Sequence, residues 1–203
     1  MLEEEYNRRR RPPRHLRRRS TPEPPFSYEI RPAERTDMPD VREIYNYYVT
    51  NSVVTFDEKK WSHAKWLDKF DYLQKLDLPF LVAVSPTGQV LGYALVAPWS
   101  GGKSSYRYTV ENSIYLGQAA AGKGLGRALL EALIAACEDR GIREMVAVIS
   151  DKGAEASVAL HERLGFVEVG RMGRVGFKFG RWLGTIYLQK HLKPKKRRGL
   201  FSR

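Results

Sequence analysis

The feature that most constrains the fold is a glycine-rich turn between an apolar strand and an amphipathic helix, within residues 114–138, "IYLGQAAAGKGLGRALLEALIAACE". Glycines let main-chain amides at a helix start close around an anion, and the helix macrodipole favours negative charge there. Two cations lie beside them. The turn therefore predicts a metal-free pyrophosphate site on six residues: Gly122, Lys123, Gly124, Leu125, Gly126 and Arg127.

Two other phosphate-binding templates fit this turn less well. Residues 117–124 spell G-x-x-x-x-G-K-G, but the nucleotide-triphosphate loop needs Ser or Thr at the last position to bind magnesium, where Gly124 has no side chain. The dinucleotide fingerprint G-x-G-x-x-G fails because the three glycines are spaced by two and position 127 is Arg. A tight turn without a ligand would explain one glycine, but not three beside two cations.

Hydrophobic periodicity along the chain predicts the element order β-α-α-β-β-β-α-β-α-β-β. This order indicates a mixed α/β sheet with helices on its faces. The predicted strands cover residues 28–33, two runs flanking a hairpin turn at 86–88, and residues 106–116, 144–150, 166–175 and 183–192. The predicted helices cover residues 37–52, with Asp37 as cap, and residues 61–76, 124–139 and 156–164.

The charge distribution divides the chain into one domain and two basic tails. The net charge is +12, of which residues 1–27 carry +4 and residues 190–203 carry +7, leaving +1 for residues 28–189. Segments rich in Arg and Pro with few apolar residues do not offset the entropy cost of ordering. We therefore predict a single domain at 28–192 with disordered tails at 1–27 and 193–203. The tails either contact nucleic acid, ribosomes or anionic lipid non-specifically or are simply solvated.

Cysteine content and hydropathy bear on location. Cys137 is the single cysteine, so the chain has no internal disulfide and no multi-cysteine metal site, and its place in a helical pattern predicts a core residue. There is no apolar run of 18 residues, and the Arg-rich N-terminus lacks the apolar segment of a secretory signal. We predict a cytoplasmic protein, with an organelle transit peptide as the alternative that the acidic run "LEEE" disfavours.

Together with "TVENSIYL" and "SVALHERLGF", the glycine turn resembles the GNAT superfamily of acetyl-CoA-dependent N-acetyltransferases, over residues 30–192. Six motifs are similar to the phosphinothricin and methionine sulfoximine acetyltransferases: "VVTF", "APW", "YRYTVENSIYL", "VAVIS", "SVALHERLGF" and "GFKFGRW". The resemblance implies a GNAT-like acyl-CoA N-acyltransferase fold, acetyl-CoA as co-substrate without a metal, and a small amino acid or analogue as acceptor. It also implies a homodimer.

Amide formation needs a base to deprotonate the attacking amine. Glu111 interrupts an apolar and aromatic strand, where partial burial would raise its pKa towards the working range. The resemblance implies that Glu111 is this base; the alternative is an outward glutamate paired with Arg107 or Lys103. Many GNAT members carry at this position a tyrosine that protonates the departing thiolate, whereas the branch has a histidine with an acid/base role; the resemblance therefore implies an acid/base role for His161. The alternative for His161 is a structural role.

The resemblance also places the two substrates. Pantetheine would pair with the backbone of Ile114, Tyr115 and Leu116, with the Leu116 amide as donor to the thioester carbonyl, and Ser157 would contact the cofactor. The resemblance assigns Phe56, Tyr106 and Glu111 to the acceptor pocket. Four neighbouring side chains could bind an acceptor carboxylate: Lys103, Arg107, Asn112 and Ser113.

Four departures from the resembled branch leave the acceptor open. Ala121 replaces a Gln or Arg, and the segment "SDKGAEAS" is one residue longer and lacks an Asn. The loop "SGGKSS" replaces an arginine-bearing segment, and Gly184 stands where the branch usually has Asp. The alternatives are an antibiotic, a polyamine or a protein N-terminus as acceptor, or a non-enzymatic nucleic-acid or ribosome-binding module that uses the tails.

Overall fold

The computed structural model describes residues 26–193, which form a seven-stranded sheet and four α-helices. The strands are β1 (Glu29–Pro32), β2 (Phe80–Val84), β3 (Val90–Pro98), β4 (Thr109–Leu116), β5 (Glu144–Ser150), β6 (Val167–Lys178) and β7 (Arg181–His191). The helices are α1 (Met38–Asn51), α2 (His63–Lys75), α3 (Leu125–Asp139) and α4 (Glu155–Arg163). Their order along the chain is the order predicted from periodicity, and the mixed α/β architecture is confirmed.

The sheet order is β1-β2-β3-β4-β5-β7-β6, in which only β4 and β5 run parallel. Each face of the sheet is covered by its own pair of helices. One core packs α1 and α2 against the sheet through Val41, Trp66 and Leu73, and the other packs α3 through Leu129 and Leu133. Since side chains alternate along a strand, successive buried residues of a central strand face opposite cores.

Several predicted boundaries shift, each for a local reason. The strand predicted from residue 106 begins at Thr109, because Ser104–Tyr106 forms a 3-10 turn. The helix predicted from residue 61 begins at His63, because the Ser62 hydroxyl accepts from the Lys65 amide at 3.1 Å and caps it. Asp37 precedes α1, but its carboxylate does not cap that helix.

The Asp37 carboxylate is instead held by Arg31 and by the turn before α1. Its two oxygens accept from the Arg31 guanidinium at 2.7 and 2.8 Å, and one accepts from the Glu34 amide at 2.7 Å. These hydrogen bonds lower the pKa of the Asp37 carboxyl against the opposing effect of its burial. The predicted cap residue therefore joins β1 to the start of α1.

Residues 1–25 and 194–203, which make up nearly all of the two predicted tails, lie outside the described residues. Within the described part, Phe26 belongs with the domain. Its ring packs against the core beside Tyr28, and the Lys123 ammonium lies 4.7 Å from its centroid. At the other end, the Lys193 amide donates to Glu138 at 3.0 Å. Among residues 26–193, no helix is long and apolar enough to span a membrane.

Two of the sequence departures meet in the structure. Gly184 lies on β7, and its amide donates to the Asp151 carboxylate at 2.8 Å, while the Asp151 amide donates back to the Gly184 carbonyl at 3.0 Å. A Cβ at Gly184 would lie 2.6 Å from an Asp151 carboxylate oxygen. The longer segment after β5 is thus tied to β7 at the position where the sequence has Gly184.

Candidate active site

The site begins where two parallel strands separate. β4 pairs with β5 only from Thr109 to Asn112, whereas Val148–Ser150 of β5 pair with β7 alone. The Gly117 amide donates to the Leu91 carbonyl, on the β3 side of β4. Because backbone amides alternate in direction along a strand, the amides of Ile114 and Leu116 point away from β3 and into the gap. Unpaired strand donors beside a gap suit an extended, peptide-like ligand.

The glycine turn lies at the end of this gap. Gly122 and Gly124 adopt left-handed conformations, with φ of 74° and 80°, and a Cβ at either would meet no atom within 4 Å. Gly124 is the N-cap of α3 without a side-chain cap, so the amides of Leu125, Gly126 and Arg127 lack an intrahelical acceptor. An open cradle of main-chain donors at a helix N-terminus fits a pyrophosphate.

The two cations of the turn are placed differently. Lys123 is exposed, and its ammonium lies over the Phe26 ring. Arg127 pairs through Nε with Glu131 at 2.8 Å, which holds its side chain along α3. Both cations belong to the turn that begins α3, but in this structure each is engaged by a neighbouring side chain.

Glu111 lies on β4, on the α1–α2 side of the sheet that it shares with Ser113 and Tyr115. Within residues 26–193, its carboxylate makes neither a hydrogen bond nor an ion pair. Burial raises the pKa of the Glu111 carboxyl, and Lys69 opposes that rise. The alternative pairing with Arg107 or Lys103 is absent from this part of the chain. Glu111 is thus a half-buried carboxylate free to accept a proton.

Lys69 is a site residue that the sequence analysis missed. It lies on α2, half-buried, three residues after the buried Trp66 and next to the buried Phe70. Burial lowers the pKa of its ammonium, and Glu111 opposes that shift. The signal in the sequence was a lysine at a position of α2 that the helical period assigns to the apolar stripe.

His161 and Asn112 lie on the other side of the sheet from Glu111. His161 is buried on α4, where its Nδ1 lies 2.8 Å from the Ser157 carbonyl and its Nε2 lies 3.1 Å from the Asn112 side-chain amide. A carbonyl only accepts, so Nδ1 carries the proton and Nε2 accepts from Asn112. Burial lowers the pKa of the His161 imidazole, which keeps it neutral. In this arrangement Nε2 has no proton to donate.

This geometry bears on two predicted site residues. His161, predicted to have an acid/base role, is a neutral ring with both nitrogens engaged, and the Asn112 amide is directed to His161 rather than to the Glu111 side. Asn112 faces away from Glu111 because it follows Glu111 directly on β4 and side chains alternate along a strand. Both roles stay predictions. Ser157 contributes its carbonyl to His161, and its hydroxyl stays a predicted cofactor contact.

We expect His161→Gln to lower kcat by less than about tenfold, because a neutral imidazole without a proton at Nε2 is not an effective acid. The same change should lower the free energy of unfolding by about 1–3 kcal/mol, since it disturbs two buried hydrogen bonds. Steady-state thiol release and thermal melting measure both. A hundredfold loss of kcat in a variant that melts like the wild type would restore the acid assignment.

The predicted acceptor residues fall into two groups. Ser113 shares the face of Glu111, whereas Lys103, Tyr106 and Arg107 are exposed on the segment before β4. Arg107 stacks on the Tyr108 ring at 4.7 Å and donates to the Ser104 carbonyl at 3.3 Å. The loop therefore offers its cations at the surface rather than beside the base.

Phe56 is fixed by a braced loop between α1 and α2. Its ring lies so close to Gly176 of β6 that a Cβ there would come within 2.7 Å of it. On one side, the buried Lys178 ammonium donates to the Thr55 carbonyl at 2.8 Å. On the other, Asp57 accepts from the Tyr45 hydroxyl and the Trp61 indole, each at 2.6 Å. The contacts of Thr55 and Asp57 thus fix the loop on both sides of Phe56, whose ring packs against β6.

Two other predictions concern cysteine and metals. Cys137 is fully buried in α3, and burial raises the pKa of its thiol to about 12, so it is a core residue rather than a nucleophile. Among the described residues, no three His, Cys, Asp or Glu side chains form a group that could hold a metal ion.

Comparison with known proteins gives concordant matches. Residues 39–166 match the model of the acetyltransferase (GNAT) family. The chain is 41% identical over 169 residues to the L-methionine sulfoximine/L-methionine sulfone acetyltransferase of Pseudomonas paraeruginosa, covering 83% of this chain and 97% of that protein. It is 37% identical over 163 residues to the phosphinothricin N-acetyltransferase of Alcaligenes faecalis, covering 80% and 82%.

A solved structure matches as well. The phosphinothricin acetyltransferase of Sinorhizobium meliloti, in complex with acetyl-CoA, superposes with a TM-score of 0.78 at 38% identity. The match covers 85% of this chain and 95% of that one.

Proposed function

Because the chain belongs to the GNAT family of acetyltransferases, we propose that it transfers the acetyl group of acetyl-CoA to the primary amine of a small amino acid or analogue, of the phosphinothricin or methionine sulfoximine type. The observation that carries this proposal is Glu111, a half-buried carboxylate with a raised pKa and no hydrogen-bond partner in the described chain, on the strand that borders the gap.

The residues present fit acetyl-CoA. The amides of residues 124–127 form an open, uncapped cradle for its pyrophosphate, and the free amides of Ile114 and Leu116 face the gap where the pantetheine would pair. When bound, acetyl-CoA supplies an activated acyl group, so transfer needs no nucleophile from the chain.

In the proposed reaction Glu111 accepts the proton of the acceptor's ammonium and leaves a neutral amine to attack the thioester carbon. As the C–N bond forms, the C–S bond breaks, and CoA leaves as a thiol that takes up the second proton of the attacking nitrogen. The strand amide that faces the gap donates to the acyl oxygen as negative charge develops there. At about 3.3 Å per residue, Ile114 lies roughly 10 Å along β4 from Glu111 and Leu116 roughly 17 Å. This spacing favours the Ile114 amide as that donor, in place of the predicted Leu116. The Leu116 carbonyl is already bound by the Tyr48 hydroxyl at 2.7 Å.

The test is release of free CoA thiol with a panel of amines. The panel contains methionine sulfoximine, methionine sulfone, phosphinothricin, spermidine, an aminoglycoside and a peptide with a free N-terminus. We expect turnover with the amino acid analogues at least tenfold above that with the other amines. Preference for the polyamine, the aminoglycoside or the peptide would contradict the proposed acceptor class.

A homodimer is also part of the proposal. β6 is an edge strand of the sheet, and the β6–β7 hairpin exposes a row of large apolar side chains. They are Val167, Val169, Met172, Val175, Phe177, Phe179 and Trp182. An exposed apolar patch of this kind on an edge marks an association surface.

We expect light scattering to give twice the chain mass of 23.3 kDa, and Val169→Lys with Phe177→Lys to give a monomer. Tyr72→Lys, on the exposed face of α2, is the matched control and should stay dimeric. A monomeric wild type would remove this surface from the proposal.

The basic tails and the location complete the proposal. We place the enzyme in the cytoplasm and assign the tails an accessory role, such as non-specific contact with nucleic acid or an anionic surface. Removing residues 1–25 and 194–203 should leave turnover near normal, whereas a binding module that depends on the tails would lose its function.

A further inference from the structure

The strongest unexplained feature on the Glu111 side of the sheet is Lys69. A long cationic side chain occupies a position of α2 between the buried Trp66 and Leu73, in a helix face that otherwise packs against the sheet. Other lysines of α2 are exposed. Lys75 lies in its last turn, and Lys65 places its ammonium 3.7 Å from the Trp61 ring centroid.

The Lys69 ammonium has no hydrogen bond and no ion-pair partner within 4.0 Å among residues 26–193. A partly buried ammonium without a partner is costly, because it loses hydration without a compensating contact. Groups of this kind occur more often at functional sites than at positions where a side chain serves packing alone. Lys69 is therefore a candidate for contact with a ligand.

Glu111 lies on the same side of the sheet as Lys69. Trp66, one turn before Lys69 on α2, packs against Tyr93 of β3, and β3 pairs with β4 along that face. Lys69 and Glu111 influence each other's pKa without forming an ion pair. The half-buried Tyr115 is also coupled to Glu111, and its hydroxyl is neutral because burial raises its pKa.

An α-amino acid matches that pair of charges. Its amine and its carboxylate are attached to the same carbon, so one can approach Glu111 while the other approaches Lys69. The cations of the loop before β4, Lys103 and Arg107, are exposed, and the Arg107 guanidinium is already engaged by Tyr108 and Ser104. Lys69 lies on the side of the sheet that carries the base, and its ammonium has no ion-pair partner among residues 26–193.

We propose that Lys69 binds the carboxylate of the acceptor and selects amines that carry a carboxylate next to the amino group. This inference rests on the proposed function and adds a specificity-determining residue to it. The acceptor's carboxylate would supply the partner that the Lys69 ammonium lacks, and this contact would orient the amine towards Glu111.

The test compares methionine sulfone with its methyl ester as acceptors. For the wild type we expect kcat/KM for the free acid to exceed that for the ester at least tenfold. In Lys69→Met this preference should fall at least tenfold, chiefly through a higher KM for the free acid. Lys69→Arg should keep most of the preference, and Lys75→Met, with the same charge change on the same helix, should keep all of it.

The pH dependence separates carboxylate binding from an effect on the base. Loss of Lys69 should also raise the pKa of Glu111, which shifts the acidic limb of kcat/KM upward for acid and ester alike. The comparison is therefore made at the pH plateau of each variant. Equal losses for acid and ester at the plateau, or no loss for either, would overturn the proposal.

The outcome is distinguishable from failure of the proposed function. A wild type that acetylates neither the acid nor the ester, while binding acetyl-CoA in a calorimetric titration, would overturn the acceptor class and this inference together. A wild type that prefers the acid, with Lys69→Met equally selective, would overturn this inference alone. Thermal melting checks the fold, and Lys69→Met should melt no lower than the wild type because it removes an unpaired, partly buried charge.

Discussion

Glu111→Gln is expected to lower kcat by about 10²–10⁴-fold, while the dissociation constant of acetyl-CoA changes by less than about twofold. The amide is similar in shape to the carboxylate but does not accept the proton of the attacking ammonium. The cofactor contacts proposed above are main-chain amides of Ile114 and of residues 124–127, which the substitution does not touch. Thiol release measures kcat, and a calorimetric titration measures the affinity for acetyl-CoA.

Glu43→Gln is the matched control, since Glu43 is exposed on α1 and pairs with its neighbour Arg42. We expect it to keep wild-type turnover. A Glu111→Gln enzyme with unchanged kcat would remove the base assignment, and one with lost acetyl-CoA binding would show that Glu111 acts on the cofactor site.

Glu111→Gln, which should lower kcat, is expected to raise the melting temperature of the protein. Burial raises the pKa of Glu111 in the folded protein, so its stabilising contribution is present below the unfolded pKa and is lost as pH rises through the folded pKa. Glu111→Gln should therefore melt at a higher temperature than the wild type near pH 8, and the gap should close below about pH 4. A gain in Tm with a loss of kcat indicates a residue kept for chemistry.

Gly124→Asp is expected to weaken acetyl-CoA binding at least a hundredfold, and Gly124→Asn about tenfold. Asp and Asn tolerate the left-handed φ of 80° at position 124 better than most side chains do. Either side chain can cap α3 and so compete for the amides that the pyrophosphate would use. Asp adds a charge that repels the pyrophosphate. At 4 Å and an effective dielectric constant of 20, that repulsion is about 4 kcal/mol before screening, so a further tenfold loss is a modest expectation.

Gly141 provides a matched control at the other end of α3, with φ of 79° and no atom within 4 Å of an added Cβ. Gly141→Asp and Gly141→Asn should bind acetyl-CoA like the wild type. The difference between the two Gly124 variants should shrink at high salt, because screening weakens charge repulsion. If Gly124→Asp and Gly124→Asn bind acetyl-CoA equally well, the pyrophosphate lies elsewhere.

The fold was predictable because its elements follow local rules. The 3.6-residue period of α3, the turn residues 86–88 of the hairpin and the glycine turn before α3 each follow from neighbours in sequence. A distant partner decided what the sequence did not show. Asp37 occupies the N-cap position of α1 as predicted, but its carboxylate binds Arg31 of β1 rather than the amides of that helix.

The site was only partly predictable, for the same reason. The resemblance to the family placed Glu111 and the glycine turn on the right elements. Alternation along β4 places Asn112 on the opposite side of the sheet from Glu111, where His161 of α4 contacts it. Lys69 was missed because it lies 42 positions before Glu111 in sequence, and the two share one side of the sheet only when α2 packs on it.

The most direct test is a crystal structure of the enzyme with acetyl-CoA. We predict that the pyrophosphate oxygens accept hydrogen bonds from the main-chain amides of residues 124–127 without a metal ion. The acetyl group should lie in the gap between β4 and β5, within reach of an amine held by Glu111. A pyrophosphate bound through a metal, or a cofactor bound away from the glycine turn, would contradict the account.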